Sequence, residues 1–167
     1  MTTIRLCRSD EYGTMLAIIN AAAEAYRGVI PSDCWHEPYM LLKELETEVA
    51  AGVTFFGYEA NGQLIGVMGI QHIADVDLIR HAYVLPGNQH RGIGSALLSH
   101  LQKNLSTRRM LVGTWTAAEW AIHFYERYGF ELVSPLQKTS LLRTSWTISE
   151  RQIETSVVLA NPPLAAI

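Results

Sequence analysis

From Thr2 to Cys7 apolar and polar residues alternate weakly, a period of two that predicts a first strand. Ser9, with the acids Asp10 and Glu11 behind it, can cap a helix whose Met15, Ile18, Ile19 and Ala22 recur at helical spacing. That helix should end near Tyr26-Arg27-Gly28, because Gly28 can take the left-handed terminal conformation and Pro31 cannot continue a helix. The segment YRGVIP is therefore expected to be a loop. Ser32 and Asp33 then offer caps for a second helix running to about Ala51, with Gly52 as its stop.

From Val53 the pattern changes to β-rich runs, VTFFGYEA and QLIGVMGIQHI, joined by Asn61-Gly62, which is a strong hairpin signal. A third run, VDLIRHAYVLP, extends the antiparallel block until Pro86 ends it. Ile93, Ala96, Leu97, Leu101 and Leu105 then mark one face of a helix over 91–105. A strand RMLVGTW and a helix TAAEWAIHFYERYG follow; Gly129 is the helix stop, and Trp115, Trp120 and Phe124 read as core. FELVS and QIETSVVLA read as the last strands, with a less regular stretch containing LLRTSW between them. The ending ANPPLAAI has neither period and is expected to be mobile or to dock on a partner. This order of elements is an α+β layering of helices on a mostly antiparallel sheet, read as a single domain over 1–160 with a tail at 161–167.

Composition narrows the function classes. The 167 residues, 49% of them hydrophobic, suit one domain with a sizeable core. A net charge of −3 and the lack of a lysine- and arginine-rich run argue against nucleic acid as a partner. No signal-peptide pattern and no apolar run of membrane-spanning length appear, so a cytoplasmic protein with no membrane contact is expected. Cys7 and Cys34 are isolated in sequence, and the six histidines form no metal-ligand spacing, so no disulfide and no metal are expected.

The chemically informative stretch is HAYVLPGNQHRGIGSALL, which puts a glycine-containing turn between an apolar strand and an amphipathic helix. Such a turn aims free peptide N–H groups and the positive end of the helix dipole at one point, an anion site. Arg91 adds charge there, and Gly92 and Gly94 leave the main chain open to a phosphate. A P-loop is excluded because no GxxxxGK precedes Ser or Thr, and Leu97 stands where a dinucleotide fingerprint needs its third glycine. What remains is QxxGxG as Gln89-x-x-Gly92-x-Gly94, preceded by YVLP and followed further along by FYERYGF. In these motifs and their order the chain resembles the GNAT superfamily of acetyl-CoA-dependent N-acetyltransferases.

The resemblance implies a GNAT-like mixed, mostly antiparallel sheet of about seven strands flanked by about four helices. It implies that the arm of the co-substrate acetyl-CoA pairs with main-chain groups near Tyr83 and Val84, with the Val84 N–H polarising the thioester carbonyl. Gln89 belongs to the motif, and main-chain amides from His90 or Arg91 through Gly92, Ile93, Gly94 and Ser95 would hold the pyrophosphate. Tyr125 matches the family's general acid, and Phe124 would touch the pantetheine. Read alone, Tyr125 is a packed helix tyrosine; within its motif it is the acid. The amine attacks the thioester directly, without an acyl-enzyme. Ala118 stands where many relatives have Asn.

The base is left open among Asp77, His81, Glu24 and Glu119. The acceptor is expected over Tyr26, Arg27, Val29, Ile30 and Trp35, with Arg27 or Arg80 meeting an acidic group. Family analogy also raises a homodimer through the last strands and the tail. Two other readings compete: a non-catalytic acyl-CoA-binding sensor or interaction module, and transfer of a longer acyl chain or transfer to oxygen.

Overall fold

A computed structural model of the protein describes residues 1–104 and 108–165. Its seven strands form one sheet in the order β1-β2-β3-β4-β5-β7-β6, and the pairings β1–β2, β2–β3, β5–β7 and β6–β7 are antiparallel. The expectation of an α+β fold on a mostly antiparallel sheet therefore holds. The chain falls into two compact units. One is Met1–Ala25, His36–His72 and Ile79–Thr107; the other is Tyr26–Trp35, Ile73–Leu78 and Arg108–Ile167.

The first unit contains β1 (Thr2–Leu6), α1 (Tyr12–Ala23), α2 (Leu42–Ala50), β2 (Thr54–Ala60), β3 (Gln63–Ile73) up to His72, β4 (Val76–Val84) from Ile79, and α3 (Ile93–Asn104). Asn61 and Gly62 have φ of 51° and 78°, the left-handed pair that a two-residue hairpin needs, and they pair Ala60 with Gln63 as the sequence predicts. Met15, Ile18 and Ile19 of α1 pack with Leu45 of α2 and with Phe55 and Val67 of the sheet. Gly66 decides how closely α3 approaches: a Cβ there would lie 2.9 Å from Ile93 Cγ2. A side chain on β3 at that point would push the start of α3 away.

The second unit contains β5 (Arg109–Trp115), α4 (Glu119–Glu126), β6 (Glu131–Leu132), α5 (Pro135–Ser145), α6 (Glu150–Glu154) and β7 (Ser156–Asn161), with residues 76–78 of β4. Met110 to Trp115 pair in register with Asn161 to Ser156. Leu78, Leu111, Leu142, Ile153, Val158 and Ala160 form its core.

The structure corrects five expectations. The predicted second helix splits into a single 3₁₀ turn, Ser32–Cys34, and α2, which begins only at Leu42. Pro38 lies between them, and its ring and missing N–H break the helical hydrogen-bond pattern. The first helix begins at Tyr12, after a 3₁₀ turn at Ser9–Glu11, so Ser9 is not its cap. The irregular stretch before the last strand forms α5 and α6, giving six α-helices among the described residues instead of about four, and Gln152 to Glu154 are helical. Both helices start in a reciprocal capping box, Ser134 with Gln137 and Ser149 with Gln152. In each, the serine Oγ accepts from the glutamine N–H while the glutamine Oε1 accepts from the serine N–H. The tail is tied to its own chain: Arg109 donates to the Pro162 carbonyl at 2.9 Å and Gln137 to the Ala165 carbonyl at 2.7 Å. Finally, Trp120 is 46% exposed and Phe124 half-buried, so neither is a core residue. Leu105 lies outside the described residues.

One ion cluster joins the start of the first unit. Arg5 Nη2 lies 2.6 Å from both Glu11 Oε1 and Glu59 Oε2, and the Arg8 peptide N–H donates to Glu11 Oε2 at 2.7 Å. The Arg5 guanidinium, aided by the Arg8 N–H and opposed by burial, holds the Glu11 carboxyl down at about 2, from 4.5. A depressed carboxylate contributes stability above its unfolded value and loses it as pH falls through the folded one. Urea unfolding should therefore show stability falling from about pH 5 to about pH 2. Glu11→Gln should be less stable than the parent at neutral pH and show a flatter acid limb.

Candidate functional site

The segment after β4 is built from local rules. The Leu85 N–H donates to the Ile65 carbonyl at 2.8 Å, the last main-chain tie to β3. Leu85-Pro86-Gly87-Asn88 then closes a tight turn, with the Asn88 N–H on the Leu85 carbonyl at 3.0 Å. Pro86 supplies the fixed φ at the second position and Gly87, at φ 93°, the positive φ at the third, which is a type II turn. Gln89 directs its side-chain amide to the Val84 carbonyl at 3.4 Å, folding the turn back on the strand end.

The main chain then changes hand twice. His90 has φ 63° and Gly92 φ 78°, with Arg91 on the negative side between them. Alternation of this kind points successive peptide N–H groups toward one point. The first α-helical bond after it runs from the Ala96 N–H to the Gly92 carbonyl at 2.9 Å, so the N–H groups of Ile93 and Gly94 fall in the first turn, without an intrahelical acceptor. Ile93, 5% exposed, and Leu97, 1% exposed, anchor the helix start. His90 and Arg91 are exposed, and Arg91 makes no ion pair among the described residues. A Cβ on Gly92 would meet no atom within 4 Å, so what requires glycine there is the backbone hand and not space. Free N–H groups, an uncommitted cation and an open face fit a phosphate-bearing ligand.

On β4 itself, Tyr83 and Val84 are half-buried, and the Tyr83 hydroxyl donates to that of Tyr39 at 3.1 Å. His81 has φ 54°, a left-handed residue inside a strand. Its neighbour Arg80, expected as a contact for an acidic acceptor, is already engaged: it donates to Gln71 Oε1 at 3.0 Å and to Glu48 Oε1 at 3.1 Å. Gln71, 5% exposed, in turn donates to the Ala51 carbonyl at 3.0 Å. Glu48 and Gln71 had no signal in the sequence: a glutamate in LKELETEVA reads as a solvated helix face. Of the four candidate bases, Asp77 is 1% exposed while Glu24 and Glu119 are exposed.

In the second unit Tyr125 is 6% exposed on α4, with Phe130 at 5.5 Å and Phe124 at 5.1 Å between ring centroids. Its hydroxyl makes no hydrogen bond among the described residues. Burial first, and then the nearby Tyr26 phenol, push its pKa well above the usual tyrosine value. Tyr26 packs on Trp120 at 5.1 Å, and the Arg27 guanidinium lies 4.9 Å over the Trp35 ring. Ile30, expected at the acceptor face, is 3% exposed and contributes packing instead. Ala118 is buried at the N-cap of α4 and gives that helix no side-chain cap. Among the described residues no three His, Cys, Asp or Glu side chains converge as a metal site would require, and no helix is long and apolar enough to cross a membrane.

Comparison with known proteins gives this geometry a context. Residues 51–132 match the family described as acetyltransferase (GNAT) domain. No curated protein matches the chain significantly in sequence. Among solved structures, the PaiA N-acetyltransferase from Thermoplasma acidophilum, in complex with coenzyme A, superposes with a TM-score of 0.73 at 18% identity, covering 96% of this chain and 98% of its own. The ribosomal-protein-S18-alanine N-acetyltransferase from Escherichia coli gives 0.66 at 17%, covering 96% and 92%. N-acetylglutamate synthase from Neisseria gonorrhoeae, complexed with coenzyme A and N-acetyl-glutamate, gives 0.64 at 22%, covering 96% of this chain and 34% of the other. At these identities the likeness to the solved structures is one of fold, and the domain match is what points to the chemistry: residues 51–132 match a GNAT acetyltransferase domain, which supports an acyltransferase enzyme.

Proposed function

We propose that this protein transfers the acetyl group of acetyl-CoA to an amine by direct attack, and that the turn from Gly87 to Gly94 holds the pyrophosphate. The observation that carries the reading is the run of peptide N–H groups from His90 to Gly94, presented by the two changes of backbone hand. Favourable charge at a helix start contributes about 0.3–1 kcal/mol on an exposed surface and up to about 2 kcal/mol when partly buried. Several such N–H groups and Arg91 together suit a ligand with more than one phosphate. The domain match and the coenzyme A complexes of structural neighbours support the same ligand.

When bound, acetyl-CoA supplies an acyl group activated as a thioester. The Val84 N–H is assigned the developing oxyanion, a type of contact worth about 2.7–4 kcal/mol in other acyl-transfer enzymes. Gln89, tied to the Val84 carbonyl, positions the strand end against the turn. Tyr125 is assigned protonation of the departing sulfur. Its raised pKa keeps the phenol protonated throughout the physiological range, so the proton is always present to give. Much of the rate comes from holding amine and thioester together, which requires no nucleophilic side chain. Cys7 fits that account: burial, then the Glu11 charge, push its thiol up to about 12, so it is not a thiolate at neutral pH.

Two variants test these assignments. Gly92→Ala forces a Cβ onto φ 78°, which should lower stability by about 1–2 kcal/mol without a clash and weaken coenzyme A binding at least tenfold by calorimetry. Unchanged affinity would remove the turn from the site. Tyr125→Phe should lower thiol release from acetyl-CoA about 10²-fold or more, measured with an alanyl peptide, glutamate, lysine and a linear diamine as acceptors, with coenzyme A affinity nearly constant. Coenzyme A uptake by the parent with no thiol release for any amine would instead identify a binding module.

A further inference from the structure

His81 is the one residue of β4 held in the left-handed region, at φ 54°. For a residue with a Cβ that conformation is unfavourable, and such strain persists only where the surroundings over-determine it. The surroundings here are specific. The imidazole stacks on Phe55 of β2, with ring centroids 6.0 Å apart and planes at 27°. Its Nε2 is buried, makes no hydrogen bond, and lies 3.4 Å from Glu48 Oε2 of α2. The other oxygen of the same carboxylate accepts from Arg80 at 3.1 Å, and Arg80 is braced by Gln71. A buried ring nitrogen left without a partner is unfavourable, and closing the short gap to Glu48 removes that penalty. Apo active sites commonly show such loose contacts, which tighten when substrate binds.

We propose that His81 is the general base of the reaction and Glu48 its positioning residue. This rests on the acetyl-transfer reading above. Burial pushes the Glu48 pKa up, but the contact with the His81 ring and the nearby Arg80 guanidinium outweigh burial and lower it. A carboxylate facing Nε2 holds the neutral ring in the Nε2–H tautomer, which leaves the Nδ1 lone pair to take a proton. His81 precedes Val84, whose N–H is assigned the oxyanion, by three residues on the same strand. Phe55, Glu48, Arg80 and the half-buried Tyr39 are the groups around the ring and its carboxylate; Tyr39, its pKa raised chiefly by desolvation, carries no charge at neutral pH. Asp77 is buried away from solvent, and Glu24 and Glu119 are exposed.

The balance is as follows. The incoming ammonium loses one proton to His81 Nδ1, and the neutral nitrogen attacks the thioester carbonyl, forming the C–N bond. The C–S bond then breaks, and the sulfur takes a proton from Tyr125. The second proton lost by nitrogen, from the tetrahedral adduct, restores the phenol, and the imidazolium releases the first to solvent. The net change is one amide, one thiol and one proton.

Two measurements test the dyad. His81→Asn keeps a residue that tolerates left-handed φ but removes the base. With the best amine of the panel above, it should lower kcat about 10²-fold at neutral pH, leave coenzyme A affinity and urea stability nearly unchanged, and regain rate as pH rises toward the deprotonation of the amine itself. A merely structural histidine would not produce that alkaline recovery. The second measurement needs no acceptor: nitrogen NMR of the histidine-labelled, ligand-free protein, at a pH where the ring is neutral, should find the His81 proton on Nε2. Glu48→Gln should abolish that preference and lower kcat about tenfold or more. Full turnover by His81→Asn, or a proton on Nδ1 in the parent, overturns the proposal. Coenzyme A uptake with a normal tautomer but no turnover of any amine would instead strike the acetyl-transfer reading on which it rests.

Discussion

An α-helix cannot satisfy its own first peptide N–H groups, and in this protein the chain entering α3 leaves them open. The Pro86-Gly87 turn and the left-handed His90 and Gly92 redirect the main chain between β4 and α3, so that no hydrogen bond among the described residues caps the N–H groups of His90 to Gly94. Most helices avoid that condition with a side-chain cap, as α5 and α6 do through Ser134 and Ser149. The contrast within one chain separates helix starts that contribute stability from one that stays available for an anion. The unsatisfied start is affordable because α3 is anchored elsewhere, by Ile93 and Leu97 seated where β3 carries Gly66.

The same division between support and chemistry recurs on β4. Arg80 and His81 are adjacent in sequence, but the left-handed φ at His81 interrupts the regular alternation of the strand, and both side chains reach the one carboxylate of Glu48. A partly buried carboxylate needs its charge compensated, and Arg80 supplies part of that through a hydrogen bond of 3.1 Å. The contact to His81 is longer and lacks hydrogen-bond geometry. A network whose structural half is satisfied and whose histidine half is loose differs from an ordinary buried salt bridge, in which both partners are fully engaged.

Burial acts on the two tyrosine positions in related ways. Tyr125 is closed in by Phe124 and Phe130, which keeps its phenol neutral but also makes it a weaker acid, so its effectiveness depends on placement and not on acidity. Tyr39 is only half-buried and accepts from the Tyr83 hydroxyl, and is thereby a support for β4.

Much of this was legible in residue order. The Asn61-Gly62 hairpin, the glycine stops at Gly52 and Gly129, and the glycine-containing turn before α3 all follow from short-range rules, because a turn's φ requirements and a helix's unsatisfied N–H groups are settled within a few residues. The Pro-Gly turn and the two Ser-x-x-Gln caps obey rules equally local and could have been read in the same way. The early end of the second predicted helix was also available in Pro38. By contrast, the pairing of Glu48 with Arg80 and His81 joins α2 to β4 across many intervening residues, and the exposure of Trp120 and the burial of Ile30 depend on which neighbours surround them. Local rules act through bonded geometry and so travel with the sequence. Long-range charge pairing, burial and backbone strain exist only once distant segments have been packed together.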